Sequence, residues 1–544
     1  MIKIDPCFGL SKKKICRNAM VYLCPVIILL CLLSYSRGLG GDFVFDDGAL
    51  IKNDRFYTNE ANPLKCWDRG FWSDGRGGLY RPLVVFSYWL NVKCFGLHSP
   101  LFRSFNLLLH MSVAFLLYLL ARKMPVGRTC AMLAAFLFAV HPLHSEAVIP
   151  AFGRAELLCA VFIMLGLIFH TSWKNPRTSA LLAGISFLLA LWSKEHAIAF
   201  IPLCFLYDLL LGKMRERKLI FRYCVYIAFF GLFIFTKFEA MHSIVPAKDK
   251  NEALVDNRLA LSPAPERIAG AFRIQGLPLF KFAYPANLSH DYSYAQLLPS
   301  KSIYDAKAFI TIIFFLGVPL LLLYFYPKRK MLIVFLVSAY ALCVIPAGSF
   351  IVPAGTIFAE RLTYIPSIWL CIFFSLAFIR LSSKIPFALS LLVIVAFLGI
   401  LSCRTAIRCY DWQDRMSLAL AGVRTSPLSI KTWGNLAVQF EEAKQFREAI
   451  AACDIAINIY PDDSSIYLKR GTYHTRLLLY EEAENDFRKS LSLTPDNLQA
   501  EVNLAIVLAN TGKTDASKEI LKGILKKNPS QDAVSKMLES LEKP

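Results

Sequence analysis

Eleven apolar runs of about 13–20 residues recur before residue 403. They lie at roughly 20–36, 101–120, 129–145, 157–170, 179–193, 197–211, 221–238, 308–326, 331–346, 362–379 and 385–402. Runs of this length predict membrane helices. The expected fold class is therefore all-α, with about 11 transmembrane helices. The first run follows Lys12, Lys13, Lys14 and Arg17, resembles a signal peptide, and lacks a small-residue cleavage site. It reads as a retained anchor, with 1–19 as a cytoplasmic N-terminus.

The polar connections alternate in character. One set is short and basic: 122–128, 174–177, 212–222, 327–330 and 380–384. The positive-inside rule assigns these to the cytoplasm. Two long connections, 37–100 and 239–307, then fall on the outer side, where long loops are usually functional. The first holds Asp46 and Asp47 and an interfacial-looking run, Pro82–Gly96. The second holds "KFAYPANLSHDYSY" (281–294), aromatic and broken by proline.

Beyond 405 the pattern changes to a repeat. Pro427, Pro461, Pro495 and Pro529 are spaced by 34. Small residues recur at the eighth position of each frame (Ala437, Gly471, Ala505) and at the twentieth (Ala449, Ala483, Ser517). Large residues take the fourth (Trp433, Tyr467), where Glu501 breaks the pattern. This resembles the tetratricopeptide repeat. The expected division is a membrane domain over 20–405, a connecting half-repeat over 406–429, three repeats over 430–531 and a tail over 532–544.

Composition sharpens this picture in two ways. The net charge of +20 is uneven. Residues 430–544 hold 15 Lys+Arg and 17 Asp+Glu, a balance of −2, so the rest of the chain carries +22. Cytoplasmic loops account for that excess, and no basic aromatic module points to nucleic acid. The 15 cysteines lie largely inside apolar runs and form no CxxC pair, which argues against a zinc site.

Ionisable residues near the ends of spans concentrate on the expected outer side. "AVHPLHSEAV" supplies His141, His144 and Glu146; "GRAELL" supplies Arg154 and Glu156; "SKEH" supplies Lys194, Glu195 and His196; "AERLTYIPS" supplies Glu360, Arg361 and Tyr364; "LYRPL" supplies Arg81. Each charge alone reads most simply as a solvated loop residue or a structural pair. Together, four connections each bring an acid with a base or imidazole. Such a groove suits an anionic head group, with Arg and Lys for phosphate and a carboxylate for deprotonating a hydroxyl. His and Glu in one cluster also suit a divalent metal, which spacing alone does not decide.

These motifs, in this order and followed by the repeats, resemble the transmembrane and tetratricopeptide-repeat-containing protein family. That family is similar to the GT-C glycosyltransferases and is linked to O-mannosylation. The resemblance implies a GT-C-like helical domain and a polyprenyl- or dolichyl-phosphate sugar donor. It also implies an inverting displacement with a first-loop acid, Asp46 or Asp47, as catalytic base. It favours Asp46 as the base, with Asp47 orienting the acceptor, holding a basic partner or binding metal. The donor phosphate would meet Arg81, Arg154, Lys194 or Arg361. His141, His144, Glu146, Glu156, Glu195 and Glu360 would complete the donor site. The acceptor would be a protein or peptide Ser/Thr, docked on the repeats. Three repeats make a shorter array than the animal members carry and fit a bacterial relative. The expected location is then a bacterial inner membrane with periplasmic repeats, or an endoplasmic reticulum membrane with lumenal ones. Asn287-Leu288-Ser289 is a glycosylation sequon only in the second case. Two other function classes compete. A transporter predicts mid-membrane binding and internal symmetry, and a membrane-anchored scaffold predicts no polar groove.

Overall fold

The computed structural model describes residues 14–73, 78–172, 175–210, 218–242, 254–300, 302–317, 320, 321, 324 and 331–542. Lys12, Lys13, Lys174 and the basic stretches 212–217 and 327–330 lie outside them. Among the described residues every regular element is helical. The chain divides into two compact units, Met1–His290 with Leu298–Leu418, and Asp291–Leu297 with Ala419–Pro544.

Among the described residues, the longer helices of the first unit are α1 (Lys14–Tyr35), α2 (Pro82–Phe95), α3 (Ser99–Ala121), α4 (Arg128–Val140), α5 (Arg154–His170), α6 (Pro176–Leu191) and α7 (Phe200–Leu210). They continue as α8 (Lys218–Met241), α9 (Ala264–Ala283), α10 (Ala306–Ile312), α11 (Met331–Val344), α12 (Tyr364–Ser382) and α13 (Phe387–Asp411). Each of the eleven apolar runs is largely helical where described, and the third breaks at His141, whose backbone is extended. Their lengths differ. Among the described residues, five helical stretches are long and apolar enough to cross a membrane alone: Ser99–Ala121, Ala151–His170, Leu219–Met241, Glu360–Ser382 and Phe387–Asp411. A sixth arises if α4 and Pro142–Val148, bent by 53°, form one span. The shorter helices are a different class. α6 has 16 residues, about 24 Å at 1.5 Å per residue, against a hydrocarbon core of about 30 Å. The result is a multi-pass membrane protein.

One large apolar core unites these helices. α5 packs on α3 and α6, α6 on α8, α4 on α3 and α12, and α1 on α13. Close approach is built in at Gly184 of α6, where an added Cβ would meet the Phe229 ring at 2.5 Å. The second long connection is more ordered than a loop. It contains α9, whose buried Ala271, Ile274, Pro278, Lys281 and Phe282 recur at helical spacing. Gly270, Gly276 and Pro278 punctuate that stretch and mask the period in the sequence.

The second unit holds three helix pairs, Ile430–Glu442 with Phe446–Ile459, Ser464–Arg476 with Tyr480–Leu493, and Leu498–Asn510 with Thr514–Lys527, followed by Asp532–Glu542. Each pair turns at the fifteenth position of its frame. Lys444, Leu478 and Gly512 all sit there with φ of 59°, 63° and 76°. This left-handed residue ends the first helix of each pair and favours glycine. At the eighth position of the second frame, a Cβ on Gly471 would meet the Phe487 ring at 2.8 Å. Small residues there let the paired helices close on each other.

Candidate functional site

The turn Phe43–Asp47 separates its two carboxylates. Phe45 has φ of 51°, a left-handed conformation that costs a bulky residue on the order of 1–3 kcal/mol. Its ring is held at 5.8 Å from Phe152 and 5.4 Å from His290. Past this kink, Asp47 turns inward and is fully buried. Its Oδ1 accepts from the Phe152 amide at 2.7 Å, and its Oδ2 from the Ala151 and Val44 amides at 3.2 and 3.3 Å. Burial raises its pKa to about 6, against these three hydrogen bonds and the charge of Arg103. Asp47 thereby ties the first long connection to the 151–153 turn. Asp46 is only half-buried, within the field of Arg361.

Three ion pairs continue the site. Arg361 donates from its backbone to Glu146 Oε2 at 2.9 Å and from its guanidinium to Oε1. Lys194 donates to Glu156. Arg81 grips Glu195 Oε2 through Nε at 3.2 Å and Nη2 at 3.0 Å. The turns carrying them meet. Glu360–Thr363 packs on Pro142–His144 and Ser145–Val148, and Glu195–Ala199 on Ile345–Ala347. Lys194 sits in the field of Arg81 and Arg361 as well as Glu156. Its pKa falls because burial disfavours the charged amine. Burial opposes ionisation of Glu195 too, but Arg81 outweighs it and the carboxyl lies below its usual value. Burial keeps His196 neutral, aided by repulsion from Lys194 and Arg81. The side chains of Arg361 and Arg81 stay 20% and 12% exposed; Lys194 is buried.

The remaining nominated residues are committed to the protein. Arg154 is fully buried. It donates to Asn106 Oδ1 at 3.0 Å, the Ser87 carbonyl at 3.2 Å and the Phe102 carbonyl at 3.1 Å. The Tyr88, Phe102 and Phe105 rings lie within 5.0 Å of its guanidinium carbon. His141 accepts from the Leu143 amide at Nδ1 and donates from Nε2 to the Phe282 carbonyl at 3.0 Å, with its ring stacked on Phe282. His144 lies 2.9 Å from the Phe138 carbonyl and 2.8 Å from Ser367 Oγ. Glu360 accepts from the Ser289 amide at 2.7 Å and pairs with Arg408 at 3.7 Å. Among the described residues, no group of three or more His, Cys, Asp or Glu is arranged to hold a metal ion.

Sequence reasoning missed several residues. Arg103 is buried in α3 and donates to the Gly38 carbonyl at 2.6 Å, to Ser99 Oγ and to the Asp42 carbonyl. It holds the entry to the Asp46 turn. Arg408, Arg404 and Lys281 lie beside Glu360. Their signal was a cation inside an apolar helix end, which the counting of connections passed over.

A tetratricopeptide repeat family model matches residues 479–541. Over 91% of its length the chain is 24% identical to human protein O-mannosyl-transferase TMTC3, covering 59% of that protein. It is 26% identical over 76% of its length to the Caenorhabditis elegans protein O-mannosyl-transferase F38B6.6, covering 59% of it. Over another 76% it is 25% identical to human protein O-mannosyl-transferase TMTC4, covering 63% of it. The chain thus spans about three-fifths of the length of the curated relatives it matches. Among solved structures it is similar to an Archaeoglobus fulgidus oligosaccharyltransferase, with a TM-score of 0.40 and 14% identity over 79% of this chain and 59% of that one.

Proposed function

We propose that this chain, a homologue of the transmembrane and tetratricopeptide-repeat-containing protein O-mannosyl-transferases, is itself a membrane glycosyltransferase. It moves mannose or another hexose from a polyprenyl- or dolichyl-phosphate donor to an acceptor hydroxyl. The acceptor is a protein Ser or Thr, presented by a peptide docked on the repeats. The observation that carries the reading is the alignment of nine-tenths of the chain with proteins of that name, joined to a half-buried carboxylate in the field of the Arg361–Glu146 pair.

In the reaction, the acceptor oxygen attacks the anomeric carbon as Asp46 takes its proton. The sugar–phosphate bond breaks, the polyprenyl phosphate leaves with the electron pair, and configuration inverts. Asp47 positions Asp46 by anchoring the turn. Arg81–Glu195 and Arg361–Glu146 are the accessible pairs. Each offers donors and acceptors together, which matches sugar hydroxyls. The transfer takes place on the face where the two long connections emerge, periplasmic in a bacterial inner membrane or lumenal in the endoplasmic reticulum.

The test is intact mass of glycoproteins from cells with and without the chain. A hexose increment (or several) on Ser/Thr that disappears on deletion supports the reading and identifies sugar and acceptor together. Unchanged masses across the secreted or envelope proteins, with the chain present at normal abundance in the control, contradict it.

A further inference from the structure

The aromatic stretch 281–294 of the second long connection reaches the Asp46 turn through His290. The His290 and Phe45 rings meet edge to face, 5.4 Å apart at 74°. Two further rings close a circuit. Phe45 lies 5.8 Å from Phe152, Phe152 lies 6.3 Å from Trp412, and Trp412 lies 6.4 Å from His290. All four separations fall in the range of about 4.5–7 Å where aromatic pairs attract. Phe152, His290 and Trp412 are buried, whereas Phe45 is half-buried and carries the half-buried Asp46 next to it.

Each ring that backs Phe45 stands on an anchored stretch of backbone. The Phe152 amide donates to Asp47 Oδ1 at 2.7 Å. The Ser289 amide donates to Glu360 Oε1 at 2.7 Å, which fixes the backbone just before His290. The Asp42 amide donates to the Gln413 carbonyl at 2.7 Å, which ties the backbone beside Trp412 to the entry of the turn. Trp412 is fully buried, and among the described residues its Nε1 has no hydrogen-bond acceptor. Its ring is therefore kept for shape.

What the circuit holds is one backbone angle. The Asp47 amide closes on the Val44 carbonyl at 3.0 Å, with Phe45 and Asp46 between them. Phe45 takes a φ of 51° there, where glycine is at ease and a Cβ is crowded. If Phe45 relaxed to negative φ, the peptide leading to Asp46 would turn with it. The Phe45 ring would then have to leave both Phe152 and His290. We infer that His290 is a positioning residue for Asp46: its ring, backed by Trp412, locks Phe45 in the left-handed turn and so fixes where the Asp46 carboxylate points. The inference rests on the assignment of proton removal to Asp46. It makes a residue of the second long connection set the aim of a base in the first. The ring does this by its flat shape, and its nitrogens take no part in the transfer.

The experiment is steady-state transfer by the full chain in nanodiscs, from undecaprenyl-phosphate mannose to a Ser/Thr peptide, with thermal midpoints as a check on folding. His290→Ala should lower kcat about tenfold or more, because a base misplaced by about 1 Å is a poor base. The donor KM should stay within about twofold of wild type. His290→Phe keeps a ring and should recover most of kcat. Trp412→Phe should keep most of kcat as well. In an Asp46→Asn background His290→Ala should cost little more, since it acts through a carboxylate already lost. If His290→Ala fails to accumulate, His290→Leu fills the space without a flat ring and should show the same loss of kcat. Wild-type kcat in the folded alanine or leucine variant, with Asp46→Asn inactive, overturns the inference and leaves Asp46 as the base. So does a His290→Phe as poor as His290→Ala, which would assign the role to the imidazole nitrogens. An equal fold-loss from His290→Ala with and without the Asp46 carboxylate overturns it too. If Asp46→Asn transfers like wild type, the reading of Asp46 as base falls and the inference with it.

Discussion

In the membrane unit, the ion pairs of the polar cluster join segments far apart in the chain. Arg361 reaches Glu146 across 215 residues, Arg81 reaches Glu195 across 114, and Lys194 reaches Glu156 across 38. In the repeat unit the pairs are short-range. Arg470 bridges Asp454 and Asp486, each 16 residues away, and Lys513 reaches Glu484 across 29. Both sets are partly buried, yet they serve different ends. The repeat pairs stitch each helix to the next, so any one supports only its neighbours. The membrane pairs gather the ends of several helices into one polar cluster, so the loss of one loosens a site.

That contrast can be broken experimentally. The largest expected effect is at Glu146, which receives both the backbone and the guanidinium of Arg361. Glu146→Ala should cost on the order of 3 kcal/mol by leaving a largely buried arginine unpaired, and should abolish transfer. Glu146→Gln keeps an acceptor and should cost less. Thermal unfolding in detergent, with transfer measured on the folded fraction, separates the two. Next is Asp47→Ala, which strips the acceptor from three backbone amides. It should lower stability by roughly 2 kcal/mol or more and reduce transfer in proportion to lost turn geometry.

Asp47 also carries a pH signature. Its folded pKa of about 6 lies above the ordinary value of 3.8. Its contribution to stability is therefore full below about pH 4 and lost as pH rises through 6. Between pH 6 and 4, acidification should stabilise the wild type relative to Asp47→Asn. The unfolding midpoints of the two proteins compared over that range would show this as a converging or diverging gap.

In the repeat unit, Arg470→Ala should cost about 1–2 kcal/mol with no loss of transfer to a short peptide. A larger loss of transfer would mean that these local pairs also serve the site. The smallest effect is at the left-handed fifteenth position. Gly512→Ala should destabilise by about 1 kcal/mol, whereas Leu478→Gly, at a residue 68% exposed, should be neutral or stabilising by about 0.5 kcal/mol. A Gly512→Ala that costs nothing, or a Leu478→Gly that costs about 1 kcal/mol or more, as Gly512→Ala is expected to, would deny that the two frames share one turn.

The same contrast explains what was legible in the sequence. The 34-residue spacing of prolines and small residues follows from local helix pairing, so it shows in the chain order. The apolar runs show for the same reason. The partners in the polar cluster did not show, because nothing in "SKEH" or "LYRPL" says that Arg81 takes Glu195 while Lys194 takes Glu156. The division between Asp46 and Asp47 depends on one backbone angle at Phe45, which no residue type there announces. Arg154 read as one of four candidate phosphate ligands because it is among the few cations in the short outer connections; its hydrogen bonds all run to neutral oxygens, and only packing reveals that. α9 was hidden by its glycines and its proline.

The central claim is that Asp46 removes the acceptor proton while Asp47 holds the turn. It is tested most directly by sugar transfer from dolichyl- or undecaprenyl-phosphate mannose to a Ser/Thr peptide, using wild type and Asp46→Asn at equal abundance in nanodiscs. The account predicts a loss of at least about 100-fold in Asp46→Asn with an unchanged thermal midpoint. Wild-type transfer by Asp46→Asn, measured against an inactive membrane control, would contradict it.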